Sequence, residues 1–212
     1  MYYPVNLDVR GKKCLVVGGG KVALQKVKGL LRARAFPTVV APRLAGELIT
    51  LGSHRKVRLI RDGFRMKYLK GHFLAIAATD DRQVNSKIAA LCRRRNLLVN
   101  AVDQPVDCTF TVPSVFRRGP LTIAIATNGA SPALSKKIRQ DLEKIYGREF
   151  GKFLSLLARV RKEAIRRIPS QRLRKKLFEK VIASDALALV RKGKGDQAEK
   201  RVRQILFKGS SR

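Results

Sequence analysis

Gly18, Gly19, Gly20 and Ala23 are the first residues of the chain whose types and spacing suit a chemical task. Gly18-x-Gly20-x-x-Ala23 fits the phosphate-binding turn GxGxxG/A. In that turn the first glycine permits a sharp reversal, the second lets main chain approach a pyrophosphate, and the third small residue lets helix meet strand. Amides at the start of a helix lack intrahelical partners and sit at the positive end of its dipole. Gly18, Gly19, Gly20, Lys21, Val22 and Ala23 are therefore candidate dinucleotide-binding residues, with Lys21 adding a cation. The competing reading is a glycine turn that only reverses the chain. An acidic residue to hold the ribose hydroxyls of NAD is expected after the second strand, but the chain reads Val40-Ala41-Pro42-Arg43. Pro42 and Arg43 are candidate cofactor residues, and because Arg43 suits a 2′-phosphate, NAD and NADP both stay open.

Such a turn works only between a strand and a helix. Lys12 to Val17 is a short apolar run, and Val22, Val27, Leu30 and Leu31 follow it at helical spacing. Thr38 to Ala41, Val57 to Ile60, His72 to Ala78 and Leu97 to Val102 are further strand candidates. The third of these is almost continuously apolar, as a central parallel strand covered on both faces requires. Asp80 and Asp81 cap a helix carrying Val84, Ile88, Ala89 and Leu91. The alternation predicts an α/β fold, a Rossmann-like parallel sheet over residues 1–113.

The rhythm then changes. Thr109 to Phe116 and Leu121 to Thr127 are extended segments separated by Arg117-Arg118-Gly119-Pro120, which reads as a hairpin. From Ser131-Pro132 the period is helical, with Leu134, Ile138, Leu142 and Ile145 on one face. Residues 114–147 thus form a small α+β region and 148–212 a helical C-terminal domain. The latter has stripes through Phe153, Leu156, Leu157, Val160 and Ala164 and through Leu173, Leu177 and Val181, with breaks at Pro169 and the Gly193/Gly195 pair. Lys208 to Arg212 read as a frayed end.

Composition narrows the classes. No apolar run approaches the roughly 20 residues that span a bilayer, and Met1 to Arg10 lacks the apolar core of a secretory signal, so a soluble, cytoplasmic protein is expected. Cys14, Cys92 and Cys108 lie far apart with no CxxC pair and are expected to be reduced. With His54 and His72 the only histidines, no structural metal is expected. Lys and Arg number 47 against 15 Asp and Glu, a formal +32. The excess is spread along the chain, and a field of this sign attracts polyanions: nucleic acid, a membrane surface or a polycarboxylate substrate. Charge alone does not choose among these, nor against a basic surface with no dedicated ligand.

Four further segments carry a family likeness: VVGGGKVALQK at Val16 to Lys26, AIAATDD at Ala75 to Asp81, VNAVDQP at Val99 to Pro105, and GPLTIAIATNGASPALSKKIR at Gly119 to Arg139. Together they resemble the precorrin-2 dehydrogenases, a family that includes the N-terminal part of bacterial siroheme synthase and a yeast bifunctional dehydrogenase and ferrochelatase. The family oxidises precorrin-2, a polycarboxylate tetrapyrrole, to sirohydrochlorin with NAD in sirohaem biosynthesis. Some members then insert a metal ion, which makes ferrous or cobaltous ion a second substrate. The resemblance implies the short, dehydrogenase-type member, a homodimer joined through the 114–147 region, no membrane, and no more than non-specific contact with nucleic acid.

It also implies site residues. Asp103 matches the aspartate to which the family assigns chemistry, a base for the proton that the tetrapyrrole loses alongside its hydride. The alternative is a loop aspartate satisfying turn amides. Ala78, Thr79 and Asn100 are implied to line the dinucleotide cleft. Thr127, Asn128, Gly129 and Ser131 are implied to lie near the tetrapyrrole, held between the Rossmann and hairpin-helical regions, although Ser131 is also a natural helix cap. Thr127 and Asn128 depart from the serine and glycine expected there. Arg117 and Arg118 have the forked donors that suit substrate carboxylates. Two other classes compete: a Rossmann-based redox sensor or nucleic-acid-binding protein without dehydrogenase activity, favoured by charge but lacking a recognisable reading motif, and a pure chelatase or tetrapyrrole carrier.

Overall fold

A computed structural model describes residues 2–208, so the end expected to fray lies, beyond Lys208, outside the described residues. Contacts divide the chain into two units between Val112 and Pro113. Among the described residues no helix is long and apolar enough to cross a membrane.

The first unit is a five-stranded parallel sheet in the order β3-β2-β1-β4-β5, made of β1 (Lys13–Val17), β2 (Phe36–Val40), β3 (Arg58–Ile60), β4 (Leu74–Ala77) and β5 (Leu98–Ala101). Side chains alternate across a strand, and here both sides are covered. Cys14, Val16, Val39, Leu74 and Ile76 meet Ala23, Val27 and Leu30 of α1 (Lys21–Arg32) and Leu48 of α2 (Gly46–Ser53). Leu15, Val17, Val40, Ala75 and Ala77 meet Ile88, Ala89 and Cys92 of α3 (Arg82–Arg93). Each fully buried Val or Leu contributes about 1.5–3 kcal/mol relative to exposure, so the sheet is held from both sides. The Rossmann-like parallel sheet read from the sequence is present.

Helix α2 was not anticipated, although Leu44, Leu48 and Leu51 recur at helical spacing and all pack into the first core cluster. Its two glycines, Gly46 and Gly52, hide it by lowering helix propensity. The strand expected from His72 begins its ladder at Leu74, because a 3₁₀ turn at Met66–Leu69 leads into it and the His72 amide closes back on the Leu69 carbonyl at 3.3 Å.

In the second unit, β6 (Ser114–Arg118) and β7 (Leu121–Ile125) form an antiparallel hairpin. Arg117 and Arg118 were read as turn residues; they pair within the ladder, opposite Thr122 and Leu121, and the turn is Gly119-Pro120 alone. Gly119 has φ +56° there, a conformation that two-residue hairpin turns require and glycine adopts without strain. Helix α4 (Pro132–Ile145) lies against the hairpin. Its buried position is Ser135, while Leu134 and Ile145 of the expected apolar face are 51% and 59% exposed.

Helices α5 (Arg148–Arg167), α6 (Gln171–Ile182), α7 (Ala186–Arg191) and α8 (Gly195–Phe207) form the remainder. Phe153, Leu156, Val160 and Ala164 of α5 pack on Val181, Ala186, Ala198, Val202 and Leu206. At Gly151 any side chain would begin 2.5 Å from the Arg118 carbonyl, which is how α5 approaches the hairpin turn.

His72 has both ring nitrogens buried without partners, and burial pulls its pKa below the ordinary histidine value. The unfolded chain therefore takes up this proton first, and stability is lost as pH falls below about 6.5. His72→Phe should flatten that part of the loss below about pH 6.5, read from urea unfolding midpoints across the range; an unchanged pH dependence would contradict it.

Candidate active site

The order β3-β2-β1-β4-β5 reverses between β1 and β4, and open α/β sheets bind ligands in the crevice beyond the strand ends at such a point. A cavity of about 690 Å³ opens there. Its walls are the turn after β1 (Val17 to Lys21), the loop after β2 (Val40 to Ala45), Gly63 and Phe64, and the loop after β4 from Ala78 to Asp81 together with Val84. The lining includes Gly18, Gly19, Gly20, Lys21, Pro42, Arg43, Ala78 and Thr79 of the expected cofactor residues. Val22 lies outside it and is partly exposed, and Ala23 is wholly buried on the sheet-facing side of α1.

Main chain holds these walls together. Gly18 has φ +126°, donates its amide to the Val40 carbonyl at 2.9 Å, and leaves only 2.1 Å between an imagined Cβ and the Ala78 oxygen. Gly19 is as tight against the second loop: a Cβ would meet the Arg43 oxygen at 1.8 Å, and its own carbonyl accepts the Ala45 amide at 2.9 Å. Gly20 is different. Nothing lies within 4 Å of where its Cβ would be, so the missing side chain leaves open space beside the helix start. Gly20 caps α1 without a side-chain acceptor, and no acidic residue stands in the first turn. Free amides, the helix dipole, Lys21 and the space at Gly20 fit a pyrophosphate.

The third wall is fixed by side chains. Asp81 accepts from the amides of Gln83 and Val84 at 2.8 and 3.1 Å. Asn85, buried on α3, donates its amide to the Thr79 carbonyl at 3.0 Å and accepts the Thr79 amide at 3.2 Å and hydroxyl at 2.8 Å. Sequence reasoning missed Asn85; the available signal was a polar residue beside Val84 and Ile88 on the buried side of the helix. Asp80 shares no cap contact and lines the cavity.

Beyond β5 the chain doubles back. Asn100 is buried outside the cavity lining, its amide donating to the Phe110 carbonyl at 3.1 Å and approaching Cys108 Sγ at 3.5 Å, while its Oδ1 has no partner. Asp103 stands exposed at φ +58°, outside the lining, and no turn amide donates to its carboxylate among the described residues. Its loop is pinned instead by Gln104 to Ser86 (2.8 Å) and by Asp107 to Ser86 (2.7 Å) and Arg93 (3.0 Å). Cys14 and Cys92 are free, with burial raising both thiols to about 11.

The remaining expected residues belong to the second unit. Ser131 caps α4, accepting the Leu134 amide at 3.1 Å, and Thr127 Oγ1 meets Ser131 and Ser135. Asn128 and Gly129 take φ +51° and +86°. Arg117 is exposed, whereas Arg118 stacks over Phe116 with its Nε buried and unpartnered.

Comparison with known proteins gives three consecutive family matches: putative NAD(P)-binding over residues 5–114, sirohaem biosynthesis protein central over 118–145, and sirohaem synthase dimerisation region over 149–206. The structure of SirC, precorrin-2 dehydrogenase, superposes with a TM-score of 0.79 at 30% identity, covering 96% of this chain and 100% of that one. The chain belongs to the precorrin-2 dehydrogenase and sirohaem synthase family. Among its relatives, the siroheme synthase of Pseudoalteromonas translucida is 38% identical over 205 residues and that of Thioalkalivibrio sulfidiphilus 35% over 208. These alignments cover 97% and 98% of this chain but 43% and 42% of those proteins, so the chain spans less than half the length of its siroheme synthase relatives.

The two adjacent aspartates of this family member separate by role. Asp81→Ala should cost about 1 kcal/mol through loss of the helix cap, while Asp80→Ala should stay within about 0.5 kcal/mol of the parent, both read by urea unfolding. Equal losses at the two positions would contradict the assignment of the cap to Asp81.

Proposed function

We propose that the chain is an NAD-dependent precorrin-2 dehydrogenase that converts precorrin-2 to sirohydrochlorin. The observation that carries this is the glycine-walled cavity at the sheet's switch point, in a chain that aligns from end to end with a precorrin-2 dehydrogenase structure. NAD, when bound, supplies the hydride acceptor. Amides at Gly20 and Lys21 hold the pyrophosphate, Ala78 and Thr79 bound the crevice, and Arg43 with Pro42 meets the adenosine end. The cation at Arg43 leaves a 2′-phosphate acceptable.

Asp103 takes the proton that the tetrapyrrole loses with its hydride. Its carboxylate is exposed and is not used up in its own turn, as a base must be if it is to reach substrate. Arg117 and Arg118 are proposed to hold substrate carboxylates, and the buried, unpartnered Nε of Arg118 supports this. The loop from Thr127 to Ser131 contributes main-chain donors at Asn128 and Gly129, since the hydroxyls of Thr127 and Ser131 are engaged in capping α4. If ferrous or cobaltous ion is inserted into the product, Asp103 is the carboxylate that receives the pyrrole protons.

The decisive assay incubates the protein anaerobically with enzymatically made precorrin-2 and NAD. Sirohydrochlorin absorption and NADH are expected to rise together, and no change in either would overturn the proposal. Asp103→Asn should reduce the rate about a hundredfold or more while leaving NAD binding intact. Adding ferrous or cobaltous ion to the finished reaction reads the second step.

A homodimer is the proposed assembly. Leu134 and Ile145 expose an apolar face on α4, and residues 149–206 match a dimerisation region. Sedimentation should give about twice the 23.7 kDa chain mass, and Leu134→Asp with Ile145→Asp should shift it to the monomer. A monomeric parent protein would contradict this.

A further inference from the structure

A second, smaller cavity of about 260 Å³ opens at the other end of the strands, where β1, β3 and β4 begin. Lys13 opens β1, Thr38 lies in β2 and Arg58 opens β3. Side chains alternate along a strand, so these three fall on the side of the sheet taken by Leu15, Val40 and Ile60, each two positions further on. The row is polar where the next one is apolar. The loop before β3 adds Arg55 and Lys56, and the turn before β4 adds Lys70. Five cations line this cavity and no carboxylate does. Elsewhere basic residues have acidic partners, as Arg93 has in Asp107 and Arg203 in Glu163 and Glu199. Among the described residues none of these five makes an ion pair or a side-chain hydrogen bond. Two neutral groups in the same lining are also unsatisfied. Thr38 is 6% exposed, and its hydroxyl has no hydrogen-bond partner among the described residues; the ring nitrogens of His72 are buried and unpartnered as well. Buried polar groups nearly always find a partner, and like charges gathered without a counter-charge repel one another. A single anion in the cavity relieves both.

We propose that this cavity is a binding site for a small phosphate compound of pyrophosphate size, separate from the dinucleotide cavity. The cations come from three segments, the start of β1, the approach to β3 and the turn before β4, and the Thr38 hydroxyl comes from a fourth. Donors placed around a ligand suit the tetrahedral oxygens of phosphate, whereas a carboxylate presents its oxygens in one plane. The cavity is smaller than the roughly 300–1,000 Å³ of pockets for drug-sized molecules, which suits a compact anion. The amides of Phe36, Lys56 and Phe73 are already given to the carbonyls of Lys12, Leu51 and Lys13. Side chains therefore carry the recognition, unlike the free amides at Gly20 and Lys21. The five residues of β1, about 13 Å in length, separate the two places, so one such anion does not reach both. Bound there, it ties together the starts of three strands.

The test titrates the full chain with sodium pyrophosphate in a calorimeter, at about 0.15 M chloride so that the diffuse field of the basic surface is screened. Pyrophosphate is expected to bind at least about tenfold more tightly than malonate, a dicarboxylate of similar size. The double variant Lys13→Gln/Arg58→Gln should weaken pyrophosphate at least about tenfold, and Thr38→Val about threefold. Lys21→Met, at the dinucleotide turn, should leave this affinity within about twofold of the parent. Saturating pyrophosphate should raise the parent's Tm by about 3 °C or more, and the double variant should lose that rise. If the double variant fails to fold, Thr38→Val carries the same comparison. No heat from pyrophosphate, equal affinity in parent and variants, equal binding of malonate, or a loss confined to Lys21→Met would overturn the proposal. So would mixed-sequence duplex DNA that binds through Lys13 and Arg58 while pyrophosphate does not, which would make this edge a nucleic-acid contact. These readouts are independent of dehydrogenase activity, so their failure leaves that reading untouched.

Discussion

A parallel sheet buried on both faces leaves a ligand one place to meet its strands, at their ends. In this protein β1 and β4 are covered on one side by α1 and α2 and on the other by α3, so the centre of the sheet is closed on both faces. Everything that faces solvent at the strand ends is loop, and a loop is a poor scaffold unless something fixes it. Here that is close contact between main chains, Gly18 on the Ala78 carbonyl and Gly19 on the Arg43 carbonyl. The cavity exists because three loops, each following a different strand, are locked to one another within van der Waals distance.

What could be read in the sequence follows from this. The glycine spacing was legible because a side chain cannot be accommodated at Gly18 or Gly19, and such a prohibition marks a sequence clearly. The central strands were legible for the same reason, since burial on two faces forbids polar residues. Asn85 was not, because it serves Thr79, six positions earlier and before the helix begins, and a lone polar residue on a helix carries no sign of its partner. Helix α2 was obscured by Gly46 and Gly52. In the second unit, α7 and α8 bury small residues such as Ala186 and Ala198, whose contribution to packing makes no visible stripe. Asp103 was singled out by its place after the fifth strand and by likeness; nothing in its spacing marks it apart from any other loop aspartate.

The basic surplus acquires a partial structural account in the second unit. Glu163 pairs with Arg167 and Arg203, and Glu199 with Arg159 and Arg203, so two carboxylates lace α5 to α8 through three guanidinium groups. Such pairs contribute little individually at a surface. Arginines also lie over rings: Arg167 over Phe207 at 4.4 Å, Arg191 over Phe150 at 5.4 Å and Arg161 over Phe178 at 5.8 Å. In a chain without tryptophan, guanidinium planes cover apolar surface that other proteins bury under larger aromatics. These contacts use only part of the excess, and the rest contributes a long-range field that favours polyanionic ligands.

The contacts at Gly18 and Gly19 also bear on how such a protein changes over time. Where a wall is cast from backbone, a side chain that points away from the contact can change without altering that wall. Arg43 takes part through its carbonyl oxygen, and its guanidinium is not needed for the contact with Gly19. The residue proposed to distinguish one nicotinamide cofactor from its phosphorylated counterpart is thus mechanically idle, free to be exchanged by mutation while the contact at Gly19 stays as it was.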